Sequence, residues 1–124
     1  MKIYIAACFG QQAEVREKAD DLEYNGHECT SFWRHEKPTG DGSEAVNASK
    51  YMQTAAMRDL RDIDRSDLLV LLTGQISRTG GKHFELGYAV ARGKQVIIVG
   101  PCENVFHWLL PRFETWQEFM ETLP

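Results

Sequence analysis

At 124 residues, with 43% hydrophobic and 26% charged residues, the chain has the make-up of one soluble globular domain, spanning 1–124, with a single core. A net charge of −4 without a basic stripe argues against a nucleic-acid partner, because nothing is arranged to neutralise phosphates. Cys8, Cys29 and Cys102 are odd in number and widely spaced, which points to free thiols in a reducing compartment. The apolar stretch from Ile3 to Phe9, followed at once by Gln11-Gln12, is too short for a signal segment or a membrane span, so a cytoplasmic protein without a membrane partner is expected.

Ile3 to Ala7 reads as a first strand, and Gln12 to Asn25 as a helix stopped by Asn25-Gly26. Glu28 to Trp33 reads as a second strand. A polar loop follows from Arg34 to Ser43, punctuated by Pro38, Gly40 and Gly42. Glu44 to Asp64 is a long helical pattern. Leu68 to Thr73 is a continuous aliphatic run of strand length, the mark of a strand buried on both faces. Thr73 to Gly81 reads as a loop, and Lys82 to Arg92 as a helix ended by Gly93. Gln95 to Gly100 is a fourth strand stopped by Pro101, a short fifth strand falls near Arg112-Phe113, and a terminal helix runs from Thr115 to Thr122. Strands alternating with helices imply right-handed crossovers. The expected fold is an α/β three-layer sandwich: a five-stranded parallel sheet in the order 2-1-3-4-5, doubly wound and flavodoxin-like.

The richest stretch is Gly80-Gly81-Lys82-His83-Phe84-Glu85-Leu86-Gly87-Tyr88, directly after the aliphatic run. It places the Glu85 carboxylate in the first helical turn at the carboxyl end of a central strand, where open α/β sheets hold their ligands. An acid in a first turn also offsets the helix dipole, which is a purely structural role. The neighbours favour function: Phe84, Gly87, Tyr88 and Ala91 form one apolar stripe and Leu86 and Val90 another, so Glu85 sits in a mostly buried helix beside glycines that leave room for a ligand.

A second carboxylate comes from the long helix. With Met52 as reference, at about 100° per residue, Ala55, Ala56, Leu60 and Ile63 share its side, and Asp59 falls inside that sector. Asp62 and Asp64 fall at the flanks and are expected to be solvated, while Arg58 and Arg61 face away. A carboxylate on a buried face needs a partner or a function, and capping a loop or pairing with an arginine stays open for Asp59.

Three familiar motifs fail on spacing. A phosphate-binding P-loop needs a further Gly and a Ser or Thr where Ile76 and His83 stand. Cys8-Phe9-Gly10 lacks the glycine spacing of a dinucleotide fingerprint. His83-Phe84-Glu85 with Pro101-Cys102 imitates a zinc-deaminase pattern, but Val105 stands where the second Cys belongs. His27, His35 and His107 have no metal-ligand spacing, so neither metal nor cofactor is expected.

Ile3-Tyr4-Ile5-Ala6-Ala7, Gly26-His27-Glu28 through Trp33, Asp59-Leu60 with Ile63 before Asp67, Phe84-Glu85-Leu86-Gly87-Tyr88-Ala89, and Gly93-Lys94 occur in an order that covers nearly the whole chain. In this order and spacing the chain resembles the nucleoside 2-deoxyribosyltransferase superfamily, which includes nucleoside 5′-monophosphate N-glycosidases. It looks most similar to short phage and bacterial members. The resemblance implies a nucleophilic Glu85, a Tyr4 whose hydroxyl orients it, and an Asp59 near sugar and base. It implies a substrate site lined by Ala7, Cys8, Trp33, Ser77, Gly81 and His107. Ser77 lies about where hydrolase members contact phosphate. Cys8 stands where those members have a second phosphate-binding serine, and Gly10 where they have an arginine. His107 matches a position that reaches into a neighbouring subunit's site and would restore some anion affinity.

The expected reaction is cleavage or transfer at the N-glycosidic bond of a (deoxy)nucleoside or nucleotide through a glycosyl ester on Glu85, resolved by water or a second base. The helix amino end would help keep Glu85 ionised, Asp59 would steer or protonate the departing base, and Trp33 would stack on it unless it is simply a core residue. A nucleotide-binding module that has lost catalysis, or a flavodoxin-like binder of another ligand, remains open on the same fold. Val105, Phe106, Trp108, Leu109 and Leu110, in a connection without a long element, mark a candidate interface. Together with the subunit-crossing position that the resemblance implies for His107, this leads to the expectation of a homodimer or larger even oligomer with shared sites, unless Trp108 or Leu109 folds back under the sheet.

Overall fold

A computed structural model describes residues 1–37 and 45–124. The elements run β1 (Lys2–Ala6), α1 (Gln12–Tyr24), β2 (Glu28–Cys29), α2 (Ala45–Asp64), β3 (Leu68–Leu72), α3 (Gly81–Ala91), β4 (Gln95–Val99), β5 (Arg112–Phe113) and α4 (Trp116–Met120). Pro38, Gly40, Gly42, Ser43 and Glu44, part of the expected loop and helix start, lie outside the described residues.

The sheet has the expected order β2-β1-β3-β4-β5, every neighbouring pair is parallel, and helices cover both sides. β3 is central because each of its residues is buried and it pairs with β1 on one side and β4 on the other. Ile3, Ile5, Leu69, Leu71 and Ile98 are fully buried and form the centre of the core. Each such aliphatic side chain contributes roughly 1.5–3 kcal/mol of burial. Gly26, at φ +87°, closes α1 in the left-handed region as the Asn25-Gly26 pair predicts. Gly100 permits a close approach: a Cβ there would lie 2.4 Å from Thr73 Oγ1.

Three local expectations are corrected. β2 stops at Cys29, and Phe32–His35 forms a 3-10 turn instead of more strand. Ser31 Oγ bonds both the N–H and the carbonyl of Ile5, and Trp33 Nε1 donates to the same carbonyl at 2.9 Å, so side chains replace the ladder and turn the chain. On α3, the row Lys82, Leu86 and Ala89 faces the core; of the stripe expected to be buried, Tyr88 packs against the core while Phe84, Gly87 and Ala91 are exposed, Phe84 to 67%. On α2, Met52 and Ala56 are exposed while Ala55, Asp62 and Ile63 are buried.

Asp62 is thus a buried acid rather than a solvated one. It is satisfied there, because its Oδ2 accepts from Phe32 N at 3.2 Å and its Oδ1 accepts from Arg65 Nε at 3.4 Å. Asp64 is half-buried and accepts from the Tyr88 hydroxyl at 2.8 Å and Arg92 Nε at 2.9 Å, fastening α2 to α3. Among the described residues, no helix is long and apolar enough to cross a membrane.

Candidate active site

The order of strands reverses between β1 and β3, and a crevice opens beyond their carboxyl ends. Tyr4, on β1, is fully buried and its hydroxyl donates a short hydrogen bond to Glu85 Oε2. α3 begins at Gly81, one residue earlier than the sequence pattern indicates, behind Gly80 at φ +74°. Glu85 is therefore in the second turn, past the free amide groups, and the dipole fades within the first turn. Burial dominates instead: together with the nearby Asp59 it pushes the Glu85 carboxyl up to about 8, while the Tyr4 hydrogen bond acts in the opposite direction. The net direction is thus upward, opposite to the one a helix dipole at Glu85 would give. Burial and the same two carboxylates also push the Tyr4 phenol well above its usual range, so it remains a donor.

Asp59 projects from α2 toward the same cleft, and its enclosed Oδ1 has no hydrogen-bond partner among the described residues. Burial raises its carboxyl to about 7, with Glu36 and Asp62 adding repulsion and Arg58 partly relieving it. Arg58 pairs with Glu36 and lies 4.5 Å over the Phe32 ring. Gln12 Nε2 fixes this wall by donating to the carbonyls of Trp33 at 2.8 Å and Glu36 at 2.7 Å.

Ala7, Cys8, Trp33, Ser77, Gly81, Asp59 and Glu85 all line this one cleft. Trp33 takes part in both readings: it is 5% exposed and tied to β1, yet presents a surface to the cleft beside Phe9, with ring centroids 6.4 Å apart. Ser77 Oγ accepts from Gly80 N at 3.0 Å, and Cys8 Sγ donates to the Gln75 carbonyl at 3.5 Å.

His107 does not line the cleft and does not project outward. Its side chain is fully buried within its own chain, with Nδ1 accepting from Glu103 N at 2.9 Å and its ring 5.4 Å from that of His83. The 3-10 turn Val105–Leu109 folds it inward, under α3, while its neighbours face out. Within its own chain, His107 therefore lies apart from the cleft that Glu85 lines.

Phe9, Glu36, Thr79 and Lys82 also line the cleft and carry no signal in the linear pattern. Glu36 sits in a polar loop, and Lys82 reads as a helix-start residue. Among the described residues, no group of three or more His, Cys, Asp or Glu side chains is arranged to hold a metal ion.

The family model described as "nucleoside 2-deoxyribosyltransferase" matches residues 3–120, nearly the whole chain. The chain belongs to the nucleoside 2-deoxyribosyltransferase family. Among solved structures it is similar to a 2-deoxyribosyltransferase from Bacillus psychrosaccharolyticus, with 21% identity, a TM-score of 0.70, and coverage of 100% of this chain and 93% of that one. It is also similar to the CMP N-glycosidase BcmB from Clostridium botulinum, with 18% identity, a TM-score of 0.56, and coverage of 98% and 96%. At these identities the structures establish the shared fold. No functionally curated protein matches the chain at the sequence level. Membership places the cleft in a protein of the nucleoside 2-deoxyribosyltransferase type.

Proposed function

We propose that this protein cleaves or transfers at the N-glycosidic bond of a (deoxy)nucleoside or nucleotide, with Glu85 as the nucleophile. The observation that carries the reading is the pair formed by Tyr4 and Glu85 at the switch point, facing Asp59 across one cleft. In the reactive form Glu85 is ionised and attacks the anomeric carbon. The bond from that carbon to the base nitrogen breaks, its electron pair leaves with the base, and protonated Asp59 supplies the proton. Water or a second base then attacks the same carbon and frees Glu85, as in a retaining glycosidase. A carboxyl near 7 beside one near 8 suits a site that shares protons between acid and nucleophile, and the two titrate as a coupled pair. Incubation with a panel of nucleosides and monophosphates, with and without an acceptor base, tests the reading: free base must appear and must depend on Glu85.

Tyr4→Phe removes one hydrogen bond to a group that is charged during attack, worth roughly 1.5–3 kcal/mol, so kcat is expected to fall about ten- to a hundredfold with little change in KM. Steady-state kinetics on the purified variant checks this. An unchanged kcat would reduce Tyr4 to a strand residue.

The assembly proposed is a homodimer or larger even oligomer. Val105, Phe106, Trp108 and Leu109 are 71%, 68%, 80% and 81% exposed on one 3-10 turn, a patch that would be unusual on a monomer in water. Analytical ultracentrifugation at micromolar concentration is expected to show an even oligomer, with Trp108→Ala shifting it toward monomer. Because His107 is buried in its own chain, His107→Ala is expected to lower the melting temperature and to leave turnover per folded molecule nearly unchanged, which melting curves and kinetics on one sample check.

A further inference from the structure

Beyond Thr73, whose N–H donates to the Val99 carbonyl at 3.0 Å, the chain leaves the sheet. Among the described residues, no backbone–backbone hydrogen bond ties residues 74–79 to anything. Ile76, in the middle of this loop, is 92% exposed, yet Ser77 and Thr79 from the same loop line the cleft. Lys82 and Glu103 hold it in place. Lys82, in the first turn of α3, is 2% exposed, and its Nζ lies 2.7 Å from Glu103 Oε1. The same Nζ donates to the Gln75 carbonyl at 3.1 Å and the Leu72 carbonyl at 3.4 Å. Glu103 Oε2 accepts from Gly74 N at 3.3 Å, and the Glu103 N–H donates to His107 Nδ1 at 2.9 Å. The loop is thus gripped at Gly74 and Gln75, and the grip is anchored on the buried His107. Its other ties are the Cys8 thiol on the Gln75 carbonyl at 3.5 Å and the local bond between Gly80 N and Ser77 Oγ.

Stability does not account for this pair. A cation in a first helical turn opposes the helix dipole. A buried ion pair gains little over apolar residues of the same volume, although removing one partner alone is costly. Placing a lysine where a methionine would pack therefore breaks two local rules, and such breaches gather where function needs a fixed geometry. An ammonium has three donors, and all three have protein acceptors here, so Lys82 has none left for a ligand.

We propose that Lys82 and Glu103 are positioning residues that fix the loop 74–79 against the cleft before a substrate arrives. This rests on the glycosidic reading above and adds to it residues that act through others. Tyr4 and Asp59 face the reacting groups, whereas this pair acts through the loop that brings Ser77 and Thr79 to the cleft wall. A wall that is ordered beforehand need not be ordered on binding, so freeing it weakens binding more than it slows bond breaking. The loss belongs in KM, opposite to the effect expected of Tyr4→Phe.

Arg78, exposed in the same loop, supplies a readout that needs no ligand, because trypsin cuts after arginine only where the chain can open locally. The double variant Lys82→Met with Glu103→Leu removes both charges at nearly constant volume and should melt close to wild type. In the empty protein its cleavage after Arg78 is expected to be about tenfold faster or more, with cuts at the other lysines and arginines unchanged. With whichever nucleoside or monophosphate the wild type turns over fastest, KM should rise about tenfold while kcat stays within about threefold. Glu103→Gln keeps the shape but only one acceptor oxygen, and should move both readouts the same way by a smaller factor, which covers a double variant that does not fold. Wild-type cleavage at Arg78 in folded variants overturns the proposal, even where KM rises, because that combination makes Lys82 a direct contact. A lower melting temperature with unchanged KM also overturns it, by reducing the pair to a structural one. Faster cleavage at Arg78 while the wild type releases no base from any compound tested defeats the glycosidic reading alone.

Discussion

Glu85→Gln is expected to abolish base release and, at the same time, to make the protein more stable at alkaline pH. The catalytic half follows from chemistry. An amide keeps the shape of the carboxylate and can still accept the Tyr4 hydroxyl, but it is a poor nucleophile, so turnover should fall by on the order of 10⁴-fold or more. Turnover near the wild-type rate in a folded Glu85→Gln protein would falsify the assignment of the nucleophile.

The stability half follows from the direction of the pKa shift. Burial raises the Glu85 carboxyl from the usual 4.5 to about 8 in the folded protein. Below about pH 4.5 both folded and unfolded chains hold the proton, so Glu85 does not penalise folding. As pH rises from there, the unfolded chain releases the proton while the folded chain keeps it, and stability declines until about pH 8. One pKa unit corresponds to about 1.4 kcal/mol, so the decline amounts to a few kcal/mol. Glutamine does not titrate. The melting temperature of Glu85→Gln should match wild type near pH 4.5 and exceed it by several degrees at pH 8. Parallel melting curves across that range check this, and equal curves at pH 8 would show that Glu85 is ionised without strain in the folded state.

The strand order was legible because Leu68 to Leu72 is apolar at every position, a pattern reserved for a strand covered on both faces, and because each strand is followed by a helical segment. What escaped depended on bonds between distant residues. β2 ends early because Ser31 and Trp33 bond to Ile5 across the sheet, and no local pattern announces that. Asp62 was placed in water because its flank position on α2 is polar in the helical projection; the Phe32 amide that receives it lies 30 residues away in sequence.

Glu85 stands out in the sequence as a charge in an apolar helix after a buried strand, and Asp59 as a carboxylate on the apolar side of a helical projection, whereas Tyr4 enters only through the family resemblance. Glu36 and Lys82 were missed for the opposite reason, since each sits among polar or small residues where a charge is unremarkable. His107 shows the limit of positional matching. Its place in the chain fits, but the turn that carries it rolls the ring inward and leaves Trp108 and Leu109 outside.

Asp59→Asn is expected to separate catalysis from stability more sharply than any other substitution in the cleft. If Asp59 protonates the departing base, its loss should lower kcat by roughly 10²–10⁴-fold, the usual worth of a positioned acid. Among the described residues its Oδ1 has no hydrogen-bond partner, so replacement leaves none of them stranded and the melting temperature at pH 7 should hold or rise. The sign agrees with its titration: a carboxyl raised to about 7 lowers stability as pH increases from 3.8 toward 7, and asparagine removes that decline. The wild-type rate should also fall on the alkaline side as the Asp59–Glu85 pair loses its last proton, and Asp59→Asn should lose that limb. Bases that leave readily without protonation should suffer least, which distinguishes a proton donor from a residue that merely shapes the wall. Melting temperature and turnover measured on one sample decide the matter, since clear destabilisation with intact turnover would make Asp59 a structural residue.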